Sequence, residues 1–327
     1  MATPQPSTPT EKTFTSYTKE QGKSYAQARP SYHPKLYETV LELHTSTGGQ
    51  LNTLLDVGCG PGITALALAP SFSQTIGLDP SEGMITTARL LSNPNTSTST
   101  NTSTGDTLPH PIRFEISTAE DLGHHLTPPI PASSIDLITA STAAHWFNMS
   151  QFWVAASRVL KPGGTVALWT TGQIGIHPSV PNAEALNKAL MEIEERDLQP
   201  FFEEGNWLAR NLYVDLLMPW DLKGELGFEK ESFVRMEWGT GERDSEEFFE
   251  GGLLSVDLDL LERVMGTASP VQRWRERYVE DVGTERDVVR RIRREIERLL
   301  REAGVKEGEE VVKGSPKGVL LVVKKRV

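Results

Sequence analysis

Between residues 51 and 172, five short apolar segments alternate with stretches patterned as helices, and this alternation constrains the fold of the chain more than any other feature. Residues 51–57, 75–79, 112–116, 135–140 and 165–170 read as strands. Residues 63–69, a segment capped by Ser81 that runs through Ala88 and Leu91, 119–126 and 151–160 read as the helices between them. Such an order implies an α/β protein with a doubly wound parallel sheet, its right-handed crossovers placing helices on both faces. Later segments add two strands. Residues 233–238 alternate like a strand, 284–303 carry one apolar helical stripe that stops at Gly304, and 318–324 read as a last strand, giving a mostly parallel seven-stranded sheet.

The remainder divides around that core. Residues 1–15, rich in Pro, Thr and Ser, read as a disordered lead-in, and 16–50 as an N-terminal helical lid with a helix inside 32–44. Within the 51–172 core, residues 92–111 form a low-complexity surface insertion. Residues 173–283 read as a substrate cap with helical and aromatic character, including helices at 182–196 and, interrupted by Gly251 and Gly252, at 246–264. Residues 284–327 supply a helix and a strand that complete the sheet. The Arg-rich helix has Glu295, Glu297 and Glu302 interleaved, the pattern of a solvated face.

A net charge of −11 argues against nucleic acid or an anionic membrane as partner. One cysteine, Cys59, excludes an intramolecular disulfide, and the seven histidines show no metal-ligand spacing with it. Residues 1–20 lack the apolar core of a secretion signal, so a cytoplasmic protein is expected.

The chemistry is concentrated where the first strand ends. Asp56, Gly58, Gly60 and Gly62 form a D-x-G-x-G-x-G turn at the carboxyl end of that strand, the corner where open parallel sheets bind ligands. Bare backbone there lets a ligand approach, and the next helix aims its first amides at it. The dinucleotide spacing G-x-G-x-x-G would put its third glycine at Ile63, and Pro61 removes an amide, so a pyrophosphate cradle is disfavoured. Asp79 closes the second strand 19 residues after Gly60, where a carboxylate can accept from both hydroxyls of a ribose. These features describe a site for a nucleoside without a diphosphate.

At this point the chain resembles the class I S-adenosylmethionine-dependent methyltransferases, which have a Rossmann-like fold. DVGCGPG at 56–62, GLDPSEGM at 77–84, STAEDL at 117–122, IDLITASTAAHWF at 135–147 and VLKPGGTVAL at 159–168 match that family's motifs in order. YAQARPSYHP at 25–34 and the HWF triplet bring it nearest to the fungal small-molecule group similar to trans-aconitate methyltransferase.

The resemblance implies S-adenosyl-L-methionine as cofactor. It places Gly58, Gly60 and Gly62 against the cofactor, with Asp56 orienting the turn and Asp79 on the ribose. Pro80, Met84, Ala119 and Glu120 would lie beside the ribose and adenine, and Ala140 and Ser141 where the methyl group points. His145 and Trp146 are the candidates on the acceptor side. Tyr17, Tyr25, Arg29 and Tyr32 could close over the cofactor, with Arg29 meeting a carboxylate. Each has a plainer reading: Asp79 as a helix cap, Glu120 and Arg29 as surface charges, Met84 and His145 as core residues. Cys59 fits better as a small residue in a tight turn. No metal site is implied.

The implied reaction is in-line methyl transfer to a small molecule. A carboxylate acceptor needs no base, whereas a hydroxyl needs a proton acceptor, for which His145 is the one candidate. Transfer to RNA or protein, and cofactor binding without catalysis, are the competing possibilities. The aromatics of 197–238, with Trp274, are expected to wall the acceptor pocket.

Overall fold

The structure is a computed structural model and describes residues 13–15, 17–29, 31–93, 110–241, 244, 247–249 and 255–327. The expected insertion falls, over 94–109, outside the described residues, as do residues 1–12 of the lead-in and Gly251 and Gly252.

The strands are β1 (Thr53–Val57), β2 (Gln74–Asp79), β3 (Arg113–Ile116), β4 (Ile135–Ser141), β5 (Leu160–Ile176), β6 (Phe228–Trp238), β7 (Ser255–Asp257) and β8 (Val311–Lys325). Their order is β3-β2-β1-β4-β5-β8-β6, with β7 paired to the far end of β8. The pairs from β3 to β5 are parallel, and β8 lies antiparallel between β5 and β6. Seven strands form the main path, as the alternation predicts, and short β7 is an eighth. This is a doubly wound, Rossmann-like sheet of the kind the resemblance implies. The chain runs outward from β1 to β3 and then returns to place β4 on the other side of β1, so the order reverses between β1 and β4.

Successive residues of β1 and β4 feed opposite faces of the sheet. Leu55 and Ile138 join Phe152 and Trp153 of α5 (Met149–Val159) on one face, while Leu54 and Leu137 pack against Leu36 and Val40 of α2 (Pro34–Thr45) on the other. Helix α2 therefore belongs to the sheet rather than to a lid. Only α1 (Lys19–Ala28) and the residues just before it lie over the strand ends, and Thr13, expected to be disordered, is buried.

A third cluster forms the cap. It joins α6 (Ala183–Ile193), α8 (Leu258–Gly266), α9 (Ser269–Arg277) and the apolar stripe of α10 (Val288–Glu302). The stripe predicted on α10 is buried in the cluster of the cap helices, which also takes in Val312 of β8 and Ile176 of β5. Two helical expectations fail. Residues 119–126 form a run of turns with Leu122 and Gly123 in left-handed backbone, because Ser117 Oγ accepts the Gly123 amide and pulls the chain out of helical register. Among the described residues of 246–264, α-helix is confined to the part of α8 that begins at Leu258, and Phe249 instead forms a bridge with Tyr32. Among the described residues no helix is long and apolar enough to cross a membrane.

Candidate active site

A cavity of about 720 Å³ opens at the carboxyl ends of β1, β2 and β4, and most of the expected residues line it. Gly58, Cys59 and Gly60 come from the turn after β1, Asp79 and Pro80 from the end of β2, and Met84 from α4 (Glu82–Leu91). Ala119 and Glu120 arrive on the run of turns, Ser141 and then His145 and Trp146 follow β4, and Tyr25 and Arg29 come from α1 and its end.

The three glycines have different reasons. At Gly60 the backbone is left-handed and an added Cβ would meet nothing within 4 Å, so its bare face is turned to open space. Gly58 lines the cavity too, yet its Cβ would lie 2.6 Å from that of Ala143. Gly62 does not line the cavity at all. It begins α3 (Ile63–Leu68) in left-handed backbone with Phe114 Cζ 2.8 Å from where its Cβ would be, so it serves packing.

Asp56 and Ala140 also stand outside the cavity, because both are strand residues fully buried in the sheet. Thr139 donates to Asp56 Oδ1 at 2.7 Å, Oδ2 has no hydrogen-bond partner, and burial pushes the carboxyl up to about 7. Cys59 packs with Ala65, Ile85 and Phe114, and burial raises its thiol well above the ordinary range, an inert position.

Asp79 holds the turn and the helix at once. Its Oδ2 accepts the Gly60 amide and its Oδ1 the Ser81 amide, both at 2.9 Å. A carboxylate has about four lone-pair sites, more than these two amides use. Glu120 Oε1 accepts the Asn148 amide at 2.8 Å.

Helix α1 seats on α4 backbone to backbone. A Cβ on Gly22 would lie 2.8 Å from the Gly83 carbonyl oxygen, and one on Gly83 would lie 2.3 Å from that of Tyr17. That contact sets Tyr25 and Arg29 over the cavity. The Arg29 guanidinium lies 4.8 Å from the centre of the Tyr25 ring, and its Nε is buried without a hydrogen-bond partner. Tyr32 lines the cavity as well and shares a 2.7 Å hydrogen bond with Thr142, while Tyr17 is buried beside Phe14 and Tyr25 outside it.

The expected aromatic wall is built from other residues. None of the aromatics at 197–238 lines the cavity, and Trp274 is buried in the cap cluster. Phe14, Trp146, Phe147 and Phe249 line it instead, with Thr171 and Ile174 from β5 and Asn206, Ser269 and Pro270 from the cap. No periodicity or motif marks these last five; only tertiary folding brings them in. Asn206 donates to Ser269 at 3.0 Å and accepts from Arg273, whose Nη1 lies 3.2 Å from Thr13 Oγ1, tying the cap to the N-terminal segment.

His145 is buried with its Nδ1 2.9 Å from the Tyr213 hydroxyl, and burial, followed by the positive charge of Arg29, lowers it to about 3. The ring is neutral near pH 7 and is not a charged group of the site. Among the described residues no cluster of His, Cys, Asp or Glu is placed to hold a metal.

A nucleoside cofactor fits this corner: open space faces Gly60, and a carboxylate stands at the end of β2.

The comparisons agree with this geometry. A family model described as a methyltransferase domain matches residues 55–168. A proposed S-adenosylmethionine-dependent methyltransferase of Saccharomyces cerevisiae is 31% identical over 44% of this chain and 43% of its own length. Methyltransferase cfoB of Aspergillus candidus is 31% identical over 50% of this chain and 46% of its own length. The chain thus spans about half the length of these curated relatives. The solved structure of a proposed type II methyltransferase from Anaeromyxobacter dehalogenans superposes with a TM-score of 0.55 over 91% of this chain and 97% of that one, at 23% identity, which speaks for the fold. Residues 55–168 thus match a methyltransferase domain, in a chain with the Rossmann-like methyltransferase fold and S-adenosylmethionine as its cofactor.

Proposed function

We propose that this chain transfers a methyl group from S-adenosylmethionine to a small acceptor and that the acceptor is a carboxylate. The observation that carries the reading is the charge distribution around the cavity. Among the described residues Arg29 is the only lysine or arginine lining it, and the two acids, Asp79 and Glu120, both sit in the cofactor half with amides already bound to them. The acceptor half offers a cation and no charged base.

Asp79 would hold the ribose, Gly58 and Gly60 would let the ligand lie on backbone, and Ala119, Glu120 and Met84 would flank the adenine. When bound, S-adenosylmethionine supplies a methyl group already activated by sulfonium charge. The protein's share is alignment and exclusion of water, which in well-oriented systems accounts for ~7–11 kcal/mol of barrier. A carboxylate arrives deprotonated at neutral pH, whereas a hydroxyl needs a base in reach. The enclosing cap and a net charge of −11 both favour a small molecule over nucleic acid.

Incubation with methyl-labelled S-adenosylmethionine and a mixture of small carboxylic acids, read by mass spectrometry, tests this. The expected product carries one labelled methyl that mild alkali removes, as for an ester. Label retained through alkali, or found only in protein or RNA, overturns the carboxylate reading. In Arg29→Gln, loss of a charge-assisted contact of ~1.5–3 kcal/mol lowers kcat/KM by ~10–100-fold.

A further inference from the structure

We propose that Tyr213 is a positioning residue that fixes His145 as the Nε2–H tautomer, so that the ring gives the acceptor a neutral hydrogen-bond donor. This rests on the methyltransferase reading of the cavity. Tyr213 comes from the cap, 68 residues along the chain from His145, and its hydroxyl lies 2.9 Å from His145 Nδ1, the two groups buried together.

The proton's direction follows from the chemistry of the pair. The phenol is the stronger acid and the imidazole nitrogen the stronger base, and Nδ1 is the hydrogen-bond partner of the Tyr213 hydroxyl, so the phenol directs its hydrogen there. A neutral imidazole that accepts at Nδ1 carries its hydrogen on Nε2. Burial keeps the ring neutral, and His145 lines the cavity.

Backbone geometry agrees. Leu212 and Tyr213 are consecutive non-glycine residues in left-handed backbone, at φ 54° and 58°. Such backbone is strained for residues with a Cβ, strain of the sort found where a side chain must be delivered to one spot. Here the spot is behind His145.

With Nδ1 capped by Tyr213 and Nε2 already bearing hydrogen, His145 has no lone pair for a proton from a hydroxyl acceptor. It can donate to an oxygen that is already anionic. The tautomer therefore makes His145 a specificity device for carboxylates instead of the base expected from sequence.

Long-range 1H–15N NMR of histidine-labelled, full-length protein reads the tautomer directly and needs no acceptor, so its failure is distinct from failure of the functional reading. The His145 signals are assigned by their disappearance in His145→Gln. The expected result is an Nε2–H pattern that does not titrate between pH 5.5 and about 8. In Tyr213→Phe the Nδ1 resonance shifts toward that of a nitrogen without a hydrogen bond. An Nδ1–H pattern or an imidazolium in the wild type overturns the proposal, as does a Tyr213→Phe variant, folded by circular dichroism, whose His145 signals do not move. The wild-type spectrum decides the question even if the variant fails to fold.

Discussion

The amide of Gly60 donates to Asp79 Oδ2 at 2.9 Å, joining the turn after β1 to the end of β2. One carboxylate thereby sets the bare backbone and, on the proposed reading, would take the ribose hydroxyls. Asp79→Ala removes both functions. Hydrogen bonds to a charged group are worth ~1.5–3 kcal/mol each, so the affinity for S-adenosylhomocysteine falls by ~100-fold or more. Calorimetric titration measures this, and affinity within a few-fold of wild type removes Asp79 from the site. Asp79→Asn, which keeps one carbonyl oxygen, falls between.

The contact between Gly22 and Gly83 makes α1 part of the site. Alanine in a helix interior is usually ~0.5–1 kcal/mol more stable than glycine. At Gly83 the sign reverses, because the new Cβ would lie 2.3 Å from the Tyr17 carbonyl oxygen, a backbone atom. Gly83→Ala is expected to lift α1 off α4, cost ~1–3 kcal/mol and raise KM for the cofactor. Faster tryptic cleavage after Lys19 and Lys23 reports the lifted helix. A higher melting temperature in this variant contradicts the account.

What the sequence reveals depends on whether a residue's reason is local. Gly60 and Asp79 are legible because a strand end, a turn and a second strand end fix them within 20 residues. Gly62 looks identical to Gly60, yet its reason is Phe114 of β3, some 50 residues on, which no local pattern encodes. The alternation of apolar segments encodes the parallel sheet. Spacing alone also marks the apolar stripe of α10, but it cannot say that the stripe packs on the cap. Asn206, Ser269 and Phe249 reach the cavity from elements whose helical or strand patterns say nothing about which residue faces the site.

Asp56 makes stability depend on pH in an unusual sense. Its carboxyl is raised from 3.8 to about 7 by burial, so between those values the folded state holds a proton that the unfolded state has released. Its stabilising contribution is full below about pH 4 and is lost as pH rises to about 7. The loss amounts to a few kcal/mol, because a tenfold difference in proton affinity between the folded and unfolded carboxyl is worth ~1.4 kcal/mol. Asp56→Asn retains an acceptor for Thr139 and does not titrate. Urea unfolding from pH 4.5 to 7.5 is expected to show stability relative to Asp56→Asn declining with pH in the wild type, and parallel curves contradict a raised pKa.

Gly205, in α7 (Glu204–Arg210), backs the part of the cavity that the proposed reading gives to the acceptor. A Cβ there would lie 2.5 Å from the Trp146 ring and 2.7 Å from the His145 carbonyl oxygen. The ring lines the cavity, and the carbonyl belongs to the turn that carries His145, so neither can give without moving the cavity's wall. The usual helical gain of ~0.5–1 kcal/mol from alanine is therefore outweighed by overpacking of ~1–3 kcal/mol. The displaced ring also narrows the space for the acceptor without touching Asp79 or the glycine turn. Gly205→Ala is expected to leave the Kd for S-adenosylhomocysteine within about two-fold of wild type while kcat/KM for the acceptor falls by ~10-fold or more. Calorimetry and steady-state kinetics on one preparation separate the two. Equal losses in both would mean that the variant disturbs the fold as a whole, and unchanged kinetics would remove Trp146 from the acceptor wall.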